Sequence, residues 1–99
     1  VKRLRTQISV TGFTQQEVEG GLQDLLDEFV ERPWLLAASA HWDGDRQRLV
    51  VSIDREGDSL AIQGGDSGAT FDEVWDCVIA CFNFSSDGIH FDVDSNVFV

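Results

Sequence analysis

The chain has 99 residues, enough for one domain spanning 1–99 with a single modest core. Its 18 acidic residues against 7 basic ones give a formal charge of −11, which excludes nucleic acid and anionic membrane as partners and favours basic proteins or cations. The 42% hydrophobic content argues for a folded chain, and no apolar run is long enough to span a bilayer.

Residues 2–11 alternate, with Leu4, Thr6, Ile8 and Val10 on one face and Arg3, Arg5, Gln7 and Ser9 on the other, so they predict a half-buried strand ended by Gly12. Thr14 and Glu17 then form a capping box, with Phe13 and Val18 as a hydrophobic staple. The helix that follows is expected to run to about Arg32, burying Val18, Leu22, Leu25, Leu26, Phe29 and Val30. Gly20 and Gly21 weaken it by roughly 1 kcal/mol each, so the helix either packs closely there or frays. Pro33 marks its end.

Residues 34–42 and 48–55 read as two strands joined by an Asp43-Gly44-Asp45 turn, with Leu49, Val51 and Ile53 facing inward. The connection 56–68 contains one apolar patch, Leu60-Ala61-Ile62, which reads as a short extra strand, and then Gly64-Gly65-Asp66-Ser67-Gly68. The clearest helix signal is residues 70–84, opened by a Thr70/Glu73 capping box, with a stripe of Phe71, Val74, Trp75, Val78, Ile79 and Phe82. After a turn over 85–88, Ile89, Phe91 and Val93 alternate in a last strand, continued by 97–99.

The order is β-α-β-β-(β)-α-β. Two helices with one apolar face each cover one sheet face, which predicts an α+β two-layer sandwich with an antiparallel sheet. The order resembles the split βαβ arrangement of the ferredoxin-like superfold over the whole chain. No family motif accompanies it, so the resemblance implies topology and not function.

The only cysteines, Cys77 and Cys81, lie on the second helix, where both Cβ atoms point the same way and cannot bridge easily. A reduced, cytoplasmic protein is expected. On the helical wheel Cys81 borders the apolar stripe, and Cys77 falls outside it as an exposed thiol. The opening Val1 points to a removed initiator methionine or to an excised domain.

Four constellations carry chemistry. His90, Asp92 and Asp94 share one face of the last strand and offer an imidazole and two carboxylates to a divalent cation. The competing reading is a solvated strand face, with Arg3 and Arg5 pairing Asp92 and Asp94 from the neighbouring first strand. Ser39, His41 and Asp43 contain the residue types of a hydrolytic triad, but a flat strand spaces them too widely for two hydrogen bonds in line. His41 would instead join His90 if their strands were close. The glycine-rich run before the second helix suits a phosphate, yet lacks the lysine of a Walker A motif and carries repelling carboxylates.

The fourth is the acidic face of the first helix. Asp24 with Glu28 and Asp27 with Glu31 are like-charge pairs that mildly destabilise it. A sequence that tolerates this repulsion is expected to use the field, and exposed Trp34 or Trp42 would anchor a contact. The leading expectation is therefore a non-enzymatic interaction or inhibitor module for a basic protein, with Asp24, Asp27, Glu28, Glu31, Trp34 and Trp42 as its surface. Beside it stand a small-ligand or metal-binding domain using the open sheet face, with His90, Asp92 and Asp94, and a self-associating domain pairing exposed strands as a homo-oligomer. No cofactor is implied. An Asp-rich, Lys-poor surface of twelve Asp, six Glu and one Lys also fits salt adaptation alone.

Overall fold

A computed structural model describes residues 2–57, 66–82 and 88–98. The alternation at the start of the chain forms β1 (Lys2–Thr11), with Leu4, Thr6, Ile8 and Val10 buried. Gly12 follows at φ +107°, where a Cβ would strike the carbonyl oxygen of Gly88, so the position demands glycine.

Helix α1 (Gln15–Val30) opens on the expected capping box. The Glu17 amide donates to Thr14 Oγ1 at 3.2 Å, and the Thr14 amide donates to Glu17 Oε1 at 2.8 Å. Phe13 and Val18 are both in the core on either side of this cap. The buried line is Val18, Gly21, Leu25 and Phe29, with Leu22 and Leu26 at its margin. Val30 does not belong to it and is 81% exposed. At about 100° per residue it sits roughly a third of a turn from the line through Val18, Leu25 and Phe29.

Of the two glycines, Gly21 is the point of close packing. A Cβ there would lie 2.5 Å from the Cys81 carbonyl oxygen and 2.6 Å from Phe82 Cδ1, whereas one on Gly20 meets nothing within 4 Å. Arg32 closes the helix by donating from Nη1 to the Glu28 carbonyl at 2.8 Å and to Glu28 Oε2 at 2.9 Å.

Residues 33–35 turn, so β2 (Leu36–Asp43) starts two residues later than the sequence pattern suggests. It carries a one-residue bulge between Leu36 and Ser39, with Ala37 at φ 47°. The hairpin to β3 (Arg48–Gly57) is held by Asp43, which accepts from the Asp45 and Arg46 amides at 3.2 and 3.4 Å and from Arg48 Nε at 3.2 Å. Desolvation alone would raise the Asp43 carboxyl. The Arg48 hydrogen bond and the two amides outweigh it and hold the group below its ordinary value of 3.8.

Helix α2 (Asp66–Cys81) begins four residues before Thr70. The Thr70/Glu73 capping box is therefore corrected: Thr70 is an interior helical residue, fully buried, with its Oγ1 accepting from Arg55 Nη1 at 3.3 Å. Asp66, Ser67 and Gly68, read as part of a loop, are its first turn. The patch 60–62 and the helical residues expected at 83–84 lie outside the described residues.

Strand β4 (His90–Phe98) completes a four-stranded sheet of order β2-β3-β1-β4, with every neighbouring pair antiparallel. β1 and β2 flank β3, and β3 and β4 flank β1, which is the split βαβ topology of a ferredoxin-like α+β sandwich. Ile8, Val10, Leu49, Val51 and Ile53 meet Val18, Leu25 and Phe29 of α1 and Val74, Cys77 and Val78 of α2 in one core. No helix among the described residues is long and apolar enough to cross a membrane.

Two outcomes test this packing. Gly20→Ala should raise stability by about 0.5–1 kcal/mol, while Gly21→Ala should lower it by about 1–3 kcal/mol, read from urea unfolding midpoints. Because the folded-state pKa of Asp43 is depressed, its contribution is present at neutral pH and is lost as pH falls through the folded value. The midpoint difference between wild type and Asp43→Asn should accordingly shrink as the pH drops below 3.8.

Candidate functional site

Helix α2 presents two apolar stripes rather than one. Thr70, Val74, Cys77, Val78 and Phe82 turn toward the sheet and α1 and are buried. Phe71, Trp75 and Ile79, each four residues apart, form a second line about a quarter-turn away. This second line runs over β4. The Phe71 ring stacks on Trp75 with centroids 6.2 Å apart, and Phe91 of β4 lies 4.6 Å from Phe71 and 5.4 Å from Trp75.

On β4 the helix-facing positions are Phe91, Val93 and Ser95, in register with Val10, Ile8 and Thr6 of β1. The β1 residues are buried, but Phe91 is 46% and Val93 43% exposed, and Ile79 above them is 53% exposed. Helix α2 packs over β1 and reaches the edge strand through Phe71 and Trp75, leaving Phe91 and Val93 about half exposed. The result is a half-open apolar seam, at one end of which the buried Thr6 Oγ1 lies 3.4 Å from Ser95 Oγ. Exposed Asp72 and Asp76 follow Phe71 and Trp75 on the outer lip. Such a surface offers flat apolar contact.

The thiols do not contribute nucleophiles. Cys77, expected outside the stripe, is buried in the core, and Cys81 is partly exposed at its edge. Burial pushes both above the ordinary thiol value, so they remain protonated packing groups. The reversal follows from the rotation of α2: its core line is centred between Val74 and Cys77, not on Trp75.

The predicted metal ligands are placed on the face of β4 away from the helices. His90, Asp92 and Asp94 are all exposed there, opposite Thr11, Ser9 and Gln7. Alternate residues of a strand are about 7 Å apart, too wide for three side chains of this length to close around one ion at about 2 Å. Among the described residues, no three His, Cys, Asp or Glu are grouped to hold a metal. His41 does not join His90, because β2 and β4 are opposite edges of the sheet, about 14 Å apart across three strand spacings. Ser39, His41 and Asp43 keep the flat-strand spacing, and Asp43 is committed to the hairpin turn.

Arg3 and Arg5 do neighbour β4, but they pair with β3 instead. Arg5 holds Asp54 through Nε at 2.9 Å and Nη2 at 3.2 Å, while Arg3 reaches Asp54 at 3.8 Å and Glu56 at 3.3 Å. The register explains the choice: Arg5 sits directly opposite Asp54, whereas Asp94 is opposite Gln7. The hydrogen bond and charge of Asp54 raise the Arg5 pKa further.

The acidic face of α1 is partly neutralised where it was expected to project a field. Glu28 is paired with Arg32, and Asp27 accepts from Gln23 Nε2 at 3.0 Å; Asp24 and Glu31 stand exposed. Trp34 is half-exposed, but its indole N–H donates to both Glu73 oxygens at 2.8 and 2.9 Å. Glu73 also meets Arg32 at 3.5 Å. Trp42 packs against the core. The six proposed contact residues are thus divided between an internal network, the core and the solvent.

No protein-family model matches the chain, and no curated protein sequence matches it. A solved structure with a similar backbone is a protein from Bordetella bronchiseptica assigned as an antibiotic biosynthesis monooxygenase. It is 17% identical, with a TM-score of 0.47, over 92% of this chain and 94% of that one. The expectation of an inhibitor module is corrected by the chain's own contacts: Glu28 and Trp34 are paired with Arg32 and Glu73, and Trp42 packs against the core.

The groove was not visible as a site in the sequence, although the Phe71–Trp75–Ile79 spacing carried its wall. If Phe91 is a wall of an open groove, Phe91→Ala should cost about half of the 3–5 kcal/mol typical of a core phenylalanine, measured by urea unfolding.

Proposed function

We propose that this protein binds a small, flat, apolar molecule in the groove between α2 and β4. One observation carries the reading: three mutually packed aromatic rings, Phe71, Trp75 and Phe91, line a seam at which Phe91 and Val93 keep nearly half of their surface in contact with solvent. Apolar side chains that face a helix layer are ordinarily covered, and the surface left open here is aromatic and contiguous. A planar ligand stacking on Trp75 and resting on Phe91 and Val93 would remove this surface from water, at about 25 cal/mol per Å² of apolar area. The Ser95 hydroxyl, partly exposed and 3.4 Å from the buried Thr6 hydroxyl, supplies a polar group at one end to orient it.

The test is titration with the neutral fluorophore N-phenyl-1-naphthylamine. Saturable enhancement is expected, and Trp75→Leu or Phe91→Ala should weaken binding at least tenfold, which is about 1.4 kcal/mol. Trp34→Phe, remote from the groove, should leave it unchanged. Absence of saturable binding, or equal binding by Trp75→Leu and Phe91→Ala, would overturn the reading.

A further inference from the structure

The charges around the seam are not balanced. Asp72 and Asp76 lie about 100° further round α2 than Phe71 and Trp75, on the side away from the buried Thr70 and Val74, and both are exposed. They stand one helical turn apart, a like-charge spacing that repels mildly. Neither makes a hydrogen bond or an ion pair among the described residues. Helix α2, DSGATFDEVWDCVIAC, contains no Lys, Arg or His, and His90 is the one such residue of β4. Asp92 and Asp94 are exposed on β4 next to Phe91 and Val93. They point to the opposite sheet face, but adjacent residues lie within the screening length of about 8 Å at physiological salt.

The cations that touch α2 are engaged elsewhere. Arg32 meets Glu73 at 3.5 Å on the side of α1, and Arg55 donates from β3 to the buried Thr70 hydroxyl at 3.3 Å. Arg3, Arg5, Arg46 and Arg48 are held by Glu56, Asp54 and Asp43. The outer lip of the seam therefore carries carboxylates with no cation of the described residues beside them. They border aromatic rings, whose faces are the negative part of a quadrupole.

We propose that the molecule taken by the seam is an organic cation, a planar apolar body bearing one ammonium or similar positive group. This rests on the groove reading above and adds the charge of its ligand. The body lies on Phe91 and Val93 against Trp75, and the charged group sits at the outer lip near Asp72 and Asp76. Two interactions favour the same sign. Phe91 is 46% exposed and offers ring surface to a cation, and a positive group beside the two carboxylates relieves their mutual repulsion. An anion of the same shape would meet Asp72 and Asp76 as like charges, and a neutral molecule gains apolar contact alone. Charge pairs in solvent are individually weak, so the cation is preferred by a moderate factor.

Three probes that share a naphthalene body and differ in charge test this: naphthalen-1-ylmethylammonium, naphthalen-1-ylmethanol and naphthalen-1-ylacetate. Each is titrated into nitrogen-15-labelled protein, with the Trp75 indole N–H resonance as the direct readout. At about 0.01 M salt the ammonium is expected to bind at least about fivefold more tightly than the alcohol, roughly 1 kcal/mol, and the acetate more weakly than the alcohol. At about 1 M salt, where the screening length falls to about 3 Å, the preference should shrink below about twofold. Asp72→Asn with Asp76→Asn should bring ammonium and alcohol to within about twofold of each other. Asp24→Asn with Glu31→Gln removes the same charge from exposed sites on α1 and should keep the preference. An ammonium no tighter than the alcohol, a preference that survives Asp72→Asn with Asp76→Asn, or one lost equally in the α1 variant would each overturn the inference. In those cases the alcohol still binds and the groove reading stands. If none of the three probes shifts the Trp75 resonance saturably, both are overturned.

Discussion

The contact on which the arrangement depends is the approach of α1 to the end of α2 at Gly21. With no side chain there, the Cys81 carbonyl and the Phe82 ring come against the backbone of α1. The two helices are held together over a sheet whose four strands span about 14 Å from first to last. α1 lies over β2 and α2 over β1, so α2 reaches β4 through Phe71 and Trp75 while Phe91 and Val93 stay half exposed.

Several features follow from this offset. The side of α2 nearest α1 becomes the core line, which is why Cys77 is buried and Ile79 is not. The other side projects Phe71 and Trp75 over the edge strand. Phe91 and Val93, which alternate as inward residues should, face a layer that covers them only in part. The half-open seam is a consequence of this packing, and any change that lets α2 slide toward β4 should close it.

Electrostatics in this chain act locally. The net charge is −11, yet four of the seven basic residues are closely engaged by nearby carboxylates: Arg5 and Arg3 with Asp54, Arg32 with Glu28 and Glu73, Arg48 with Asp43. These pairs fix a strand register, a helix end and a hairpin turn. These four arginines join separate elements, while Asp24 and Glu31 are among the carboxylates that remain in solvent.

The amino-acid sequence alone determined the elements and their order. The alternation of β1, the Thr14–Glu17 cap, the hairpin at Asp43 and the apolar periodicity of both helices are local signals, set by side-chain period and backbone hydrogen bonding. From those signals the ferredoxin-like topology could be read. Which strand Arg5 would pair with, how α2 is rotated, and that His41 and His90 stand on opposite edges were decided only by the tertiary structure. Each depends on register or helix offset, and these are set by contacts between residues distant in the chain, Gly21 with Cys81 and Arg5 with Asp54 among them. The candidate site is of that second kind. Phe71 and Trp75 were legible as a helix face, but that the face would end above a half-exposed Phe91 follows from how two helices pack on one sheet, which no single stretch of the chain encodes.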